Sequence, residues 1–404
     1  MRVVKILFFA LWVVGLNACN VQTAPPPAAK GTFGYDLEFL KAKDSVVVLS
    51  SADGKGQVIV SPKYQAKVFT STADGLNGKS FGWIKYETFN AKQLDAHMNA
   101  YGGEDRLWLG PEGGRFSLFF KPGTKMEFDN WHTPPAIDNE SWDLISSTGK
   151  KASLAKSTSI QNYAGTTLSI KLQRDVEILE PAAIQQLLGI DADSTVKSVG
   201  FATVNTIANS GTAAWDKTAG APCLWSLDMF TPSPQTVIIV PYKEEATGKV
   251  ATTNYFGEIS KDRIVYNNGT LLFKADGKSR GKLGIPPNRA KNRIGSYDAA
   301  NHVLTIVLFD LDTQGDYLNQ EWKPGTAPFT GDAVNAYNDG PLANGSQMGP
   351  FYELESVSPA AFLKPGEKLS HKHSVFHFIG NIDALDKIAL KTLGYSLHDK
   401  NHNI

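Results

Sequence analysis

Cysteine is nearly absent from this 404-residue chain, which holds only Cys19 and Cys223. At most one bridge can form, so the fold is no disulfide scaffold and must rest on a buried apolar core. Net charge is missing as well. Lys and Arg number 40, and so do Asp and Glu. That balance argues against a general nucleic-acid binder, and no such partner is expected. Also missing are a Walker loop, a dinucleotide glycine fingerprint, a His-Glu-x-x-His helix and a Gly-x-Ser-x-Gly elbow. No solenoid or propeller repeat occurs, and no internal Pro/Gly/Ser-rich linker divides the chain.

What the N-terminus holds reads as an export signal. Arg2 and Lys5 precede an apolar run over 6–14, too short to span a bilayer, and Leu16-Asn17-Ala18-Cys19 resembles a lipobox. Residues 1–18 are therefore expected to be a lipoprotein signal peptide. Residues 19–33 would be the lipidated Cys19 and a flexible, Pro-rich tether, and 34–398 a single domain. Acylation of Cys19 would anchor the protein to the bacterial cell envelope, periplasmic or surface-facing, with the membrane as a partner through lipid alone. Cys223 would then be a buried, inert thiol.

Short β-rich runs separated by turn residues dominate the rest. Residues 45–49 and 57–60 flank Asp53-Gly54, a hairpin signal. Further runs fall at 64–71, 116–120, 166–172, 196–207, 236–240, 270–273, 303–309, 351–357 and 371–378. Three helices are expected. One covers 91–100, with Asn90 as cap and Gly102-Gly103 as stop, one 181–188 behind Pro181, and one lies within 381–393. This pattern predicts an all-β fold of two large antiparallel sheets with few short helices.

The C-terminal third carries Gly349-Pro350-Phe351-Tyr352-Glu353-Leu354-Glu355-Ser356, then Leu363-Lys364-Pro365-Gly366-Glu367 and a strand ending His377-Phe378. These residues resemble the last strands of the galactose mutarotase-like (aldose 1-epimerase-like) superfamily. The resemblance implies a β-supersandwich with a sugar-binding concave face, and it places Glu355 where the epimerases keep their general base. Other segments are similar to an uncharacterised group of bacterial lipoproteins with this fold. They are the stretch from Gly103 to Gly114, Asn209-Ser210-Gly211 with Trp215, Leu224-Trp225-Ser226-Leu227-Asp228-Met229-Phe230, Gly295-Ser296-Tyr297-Asp298 and Asn335-Ala336-Tyr337-Asn338-Asp339-Gly340-Pro341. The family's acid histidine has no counterpart here, because 205–211 contains none.

Sugar recognition needs flat aromatic faces and planar polar groups. Glu353 and Glu355 share one face of a strand and form an acid–base pair, or else two solvated carboxylates. His132, in Trp131-His132-Thr133-Pro134-Pro135, is a replacement acid or a plain loop residue. Arg106, Trp108 and Glu112 sit between paired glycines that can admit a ligand to the backbone, or form a structural network. Trp131 and Trp225 are expected platforms. Lys274, Arg280 and Lys282 form a basic turn that suits an acidic sugar, or a solvated hairpin tip.

No cofactor is expected. Asp332, Asn335, Asn338 and Asp339 offer a weak calcium-type oxygen set without EF-hand spacing. His371, His373 and His377 share a strand face, expected to be a polar outer one, with no third zinc ligand evident. The chain is thus expected to be an envelope-tethered protein that binds a carbohydrate. It would perform acid–base chemistry near the anomeric carbon (epimerase, hydrolase or lyase type), or bind a glycan without catalysis.

Overall fold

The computed structural model describes residues 28–191, 193–399 and 404. The expected signal peptide, Cys19 and most of the tether lie outside the described residues. The ordered chain opens with α1 (Phe33–Lys41), then β1 (Val47–Ser50), β2 (Gln57–Ser61), β3 (Lys67–Thr72) and β4 (Arg106–Gly110). Next come β5 (Asp143–Ser147), β6 (Lys151–Gln161), β7 (Thr167–Ile178), α2 (Pro181–Leu188), β8 (Lys197–Asn209) and β9 (Cys223–Phe230). Then follow β10 (Thr236–Pro241), β11 (Ile264–Asn267), β12 (Thr270–Lys274), β13 (Gly281–Ile285), β14 (Arg293–Asp298) and β15 (Val303–Phe309). The chain closes with β16 (Val334–Asn338), β17 (Tyr352–Val357), β18 (Lys368–Ile379) and α3 (Ile382–Leu393).

The strands form three antiparallel sheets. Ten strands follow the order β11-β12-β10-β14-β15-β18-β8-β7-β6-β5, five follow β13-β16-β17-β9-β4, and β1-β2-β3 make a small third sheet. Strand alternation sets the faces. In β7, Leu168, Ile170, Leu172, Arg174, Val176 and Ile178 point inward while the intervening residues meet solvent to varying degrees. Leu224 of β9 and Leu354 of β17 join that row in one continuous core. The expectation of large antiparallel sheets with few helices holds.

The helices cover outer faces. Ile184 and Leu188 of α2 and Leu385, Ile388 and Leu393 of α3 pack on Val237, Leu304 and Phe376 of the ten-stranded sheet. Asn381 caps α3 by accepting a bond from the Ala384 amide. Helix α1 lies where the tether was expected to end. Thr32 caps it, and Phe33, Leu37 and Leu40, spaced for one helical face, bury against Ile59 and Phe69 of the small sheet. Among the described residues no helix is long and apolar enough to cross a membrane.

Two expected elements do not form. Residues 91–100 make turns, not a helix, because Asp95 and Asn99 use their side chains on nearby backbone. The His97 and Met98 amides donate to Asp95, and the Asp95 amide donates to Asn99. Such local bonds compete with the helical ladder. Residues 116–120 likewise form turns rather than a strand. The histidines of β18 also face inward, not outward. His371, His373 and His377 are buried between the sheets, where Asp228, Ser356 and Glu104 receive them.

Candidate functional site

Register across the five-stranded sheet assembles the site. β13, β16, β17 and β9 align Lys282, Tyr337, Glu353 and Met229 in one row. The adjacent row, extended onto β4, carries Gly284, Asn335, Glu355, Leu227 and Arg106. Trp225 and Trp108 pair in the row beyond. Alternation turns all of these side chains away from the sandwich core. Of these, Lys282, Tyr337, Glu353, Met229, Leu227, Arg106, Trp225 and Trp108 line a cleft of about 310 Å³, walled by Trp131, Trp322, Phe128 and Phe256 and rimmed by Lys85, His97 and Arg280, while Glu355 and Asn335 lie behind that lining.

Two ion pairs lie in the floor. Arg106 Nη2 stands 2.5 Å from Glu353 Oε1, and its guanidinium lies 5.1 Å from the Trp108 ring centroid. Lys282 Nζ stands 2.9 Å from Glu355 Oε2, and Trp225 Nε1 donates to the same oxygen at 2.9 Å. Glu355 is fully buried, and its other oxygen, Oε1, has no partner among the described residues. Asn335, its neighbour across the strands, is also buried with both side-chain polar atoms unpartnered. Unsatisfied polar groups under a cleft are costly unless something fills their valence.

Burial tunes the acids. It pushes the Glu353 carboxyl above the usual carboxylate range, with Arg106 pulling it back and the nearby Glu355 adding to the rise. Burial raises Glu112 too, opposed first by the charge of Lys282 and then by a side-chain bond with Trp322. Lys67, beneath Arg106, is lowered to about 7, chiefly by burial and next by that like charge. The cleft thus offers two acids biased toward holding a proton and flat aromatic walls, with the unpartnered oxygen of Glu355 buried just behind Lys282 and Trp225. Trp108 and Trp225 meet edge-on at 5.7 Å, and Trp131 stacks on Trp322 at 6.0 Å.

A model of a family of unknown function, DUF6786, matches residues 31–404. The chain belongs to that family. No functionally curated protein matches this DUF6786 chain. Solved structures similar to it bear galactose mutarotase-like and aldose 1-epimerase-like names. A candidate aldose 1-epimerase from Escherichia coli K12 shares 12% identity with a TM-score of 0.48, over 82% of this chain and 98% of its own. The Slr1438 protein from Synechocystis sp. PCC 6803 shares 12% identity with a TM-score of 0.49, over 83% and 96%. A galactose mutarotase-like protein from Lactobacillus casei ATCC 334 shares 10% identity with a TM-score of 0.48, over 82% and 100%.

Of the residues singled out from sequence, the DUF6786 cleft gathers Arg106, Trp108, Glu112, Trp131, Trp225, Arg280, Lys282 and Glu353, with Glu355 buried behind the lining and bonded to Lys282 and Trp225. It does not gather His132 or Lys274. His132 is exposed on a separate groove, where Nδ1 bonds the Ala96 carbonyl and the ring stacks on His97 at 4.9 Å. Lys274 ends β12 with its backbone bonded to Arg263 and lies outside the cleft lining. The paired glycines serve protein packing rather than ligand approach. A Cβ on Gly102 would sit 2.1 Å from the Trp83 carbonyl oxygen, and one on Gly113 2.2 Å from that of Glu321. Gly113 therefore lets the loop bearing Trp322 close over β4.

The oxygen set does not converge. Asn335 has no side-chain partner among the described residues, Asn338 accepts from the Gly277 amide and donates to the Ser279 carbonyl, Asp339 accepts from Tyr337 and Gly349, and Asp332 accepts from Tyr255 at 2.5 Å. Among the described residues, Asp105, Asp228 and His373 bring potential metal-ligand atoms within 4.8 Å of one another. Arg174 already lies 3.0 Å from Asp105, and His373 bonds Asp228 at 2.8 Å, so this inter-sheet cluster compensates its own charge. The Cys223 thiol, fully buried, is pushed up to about 12 by burial.

Sequence reasoning missed Lys85, His97, Phe128, Phe256, Trp322 and Tyr337 as cleft residues. Trp322 did leave a signal, since a tryptophan inside Gln-Glu-Trp-Lys-Pro is out of place in a polar loop. Tyr337 joins Lys282 and Glu353 through strand register, and the others come together only through tertiary packing.

Proposed function

We propose that the cleft binds a saccharide and performs acid–base chemistry at or near its anomeric carbon. The observation that carries this reading is the free, fully buried Oε1 of Glu355 beneath tryptophan walls. Indole faces suit the C–H faces of a pyranose, and the floor supplies polar groups for its hydroxyls. Glu355 accepts a proton from the anomeric hydroxyl, with Lys282 and the Trp225 indole holding its other oxygen in place. Glu112 donates to the ring or leaving oxygen. It is preferred over Glu353 because it has no ion pair within 4 Å among the described residues, whereas Arg106 occupies Glu353. Arg106 and Glu353 orient hydroxyls.

A glycan array followed by product analysis by NMR tests the reading. Glu355→Gln should retain binding and lose turnover at least a hundredfold. Unchanged turnover by this variant removes Glu355 as the base. A second reading, glycan binding without catalysis, draws support from the exclusion of His132 from the cleft. It predicts binding with no product in the wild-type chain.

The chain is further proposed to be held at the bacterial envelope by lipid on Cys19, from the lipobox-like Leu16-Asn17-Ala18-Cys19. Cys19→Ser should move the protein from the membrane fraction to the soluble one. Retention in the membrane contradicts the anchor.

A further inference from the structure

Among the described residues lining the cleft, Arg280 is the arginine whose guanidinium is both clamped and open. Its plane centre lies 3.8 Å from the Phe256 ring centroid, a cation–π contact. Its Nε donates to the Tyr337 hydroxyl at 3.3 Å, and Tyr337 in turn donates to Asp339 at 2.9 Å. These contacts fix the plane from one side. Both terminal Nη groups are left without a partner among the described residues, and no carboxylate lies within ion-pair distance. Arg106 and Lys282 differ, since each spends its charge on a glutamate in the floor.

A guanidinium held at Nε and on its face, with its two Nη groups free, presents the fork that matches a pair of anionic oxygens. Flexible surface arginines pay side-chain entropy to adopt that geometry, but the Phe256 stack has already fixed this one. The Ser279-Arg280 backbone is tied into the turn by Gly340, whose Cβ position would fall 2.4 Å from the Arg280 amide nitrogen. The fork therefore stands on a rigid corner at the mouth of the cleft.

We infer that the cleft selects an anionic saccharide, with Arg280 gripping a sugar carboxylate through its two Nη groups. This rests on the saccharide reading above and narrows it to uronate-containing glycans. Arg280 is a specificity residue here; no bond to it changes during the reaction.

Isothermal titration of the full chain with trigalacturonate, its methyl-esterified form, a neutral galactotriose and a sulfated galactotriose tests the assignment. Trigalacturonate should bind at least tenfold more tightly than the methyl ester and the neutral trisaccharide. Arg280→Gln should erase that preference, and Arg280→Lys should restore only part of it, because an ammonium lacks the fork. Lys274→Gln removes a charge nearby in sequence but outside the cleft, and should leave the preference intact. If the sulfated sugar binds best, the anion is tetrahedral and the carboxylate assignment is wrong. If neutral and esterified sugars bind as well as the acid, the anionic preference is overturned while the saccharide reading survives. Absence of binding by any sugar, on this panel and on the array, overturns both.

Discussion

Arg106→Met leaves Glu353 buried in the cleft floor without its cation, and the size of the resulting loss can be worked from the structure. The pair is nearly inaccessible, with side-chain exposures of 6% and 9%. Removing one partner of such a pair costs about 3–5 kcal/mol, mostly from the stranded charge. Protonation of Glu353 tempers this, since burial already raises its carboxyl, so the lower end of the range applies. Unfolding entropy of about 2.1 cal/mol/K per residue over roughly 370 residues converts 3 kcal/mol into a Tm drop of about 4 °C. Glu353→Gln added to Arg106→Met should restore most of it. The loss in the single variant should also shrink at low pH. Glu353 carries a raised folded-state value, and with its cation gone that value rises further. The unfolded chain then keeps Glu353 ionised at neutral pH where the folded one resists ionisation, so the penalty is largest above the unfolded value and fades below it. Calorimetric melting of wild type, both singles and the double at pH 4 and pH 7.5 reads all of this. A single variant no less stable than the double, at both pH values, refutes the reasoning.

Three further outcomes follow from the buried charges of the cleft and the sandwich. Glu112→Gln should flatten the alkaline limb of the rate–pH profile, because a general acid is lost as pH rises through its elevated value; an unmoved limb assigns the acid elsewhere. Lys67→Met should stabilise the fold, more at pH 6 than at pH 9. Its folded value of about 7 lies below the unfolded 10.5, so the burial penalty is full below 7 and relaxes as pH climbs toward 10.5; equal gains at both pH values contradict this. Asp228→Leu should unfold the domain or cost several kcal/mol, since it strands His373 between the sheets; a neutral effect on urea melting would show that the inter-sheet network is dispensable.

Much of the fold was legible because strand alternation and turn residues are local signals. The run at 303–309 is β15 residue for residue, and Asp53-Gly54 does sit in the bend between β1 and β2. Helix α2 was visible from Pro181, and in the structure Gly189 ends it in a left-handed conformation. What failed was decided by side chains acting on backbone or by packing. Residues 91–100 have helical spacing, yet Asp95 and Asn99 divert the amides. Helix α1 has a clear apolar face, but it starts where the expected tether ends, and residues 34–41 were placed in the domain without being read as a helix.

The site was legible where it lies on strands. Period two puts Glu353 and Glu355 on one face, and chain register alone then carries Arg106 to them across β9 and Lys282 across β16. It was not legible on loops, whose path depends on contacts distant in sequence. His132 and Lys274 have the right chemistry and the wrong positions, while Trp322 reaches the cleft because Gly113 leaves room for its loop.

The claim that the walled cleft is a saccharide site is tested most directly by tryptophan fluorescence of the full chain titrated with a glycan panel. Four indoles line the cleft, so at least one glycan should change the emission saturably, with the response weakened at least tenfold in concentration by Trp225→Ala in a chain that still melts cooperatively. A flat emission across the whole panel, or a response untouched by Trp225→Ala, contradicts the account.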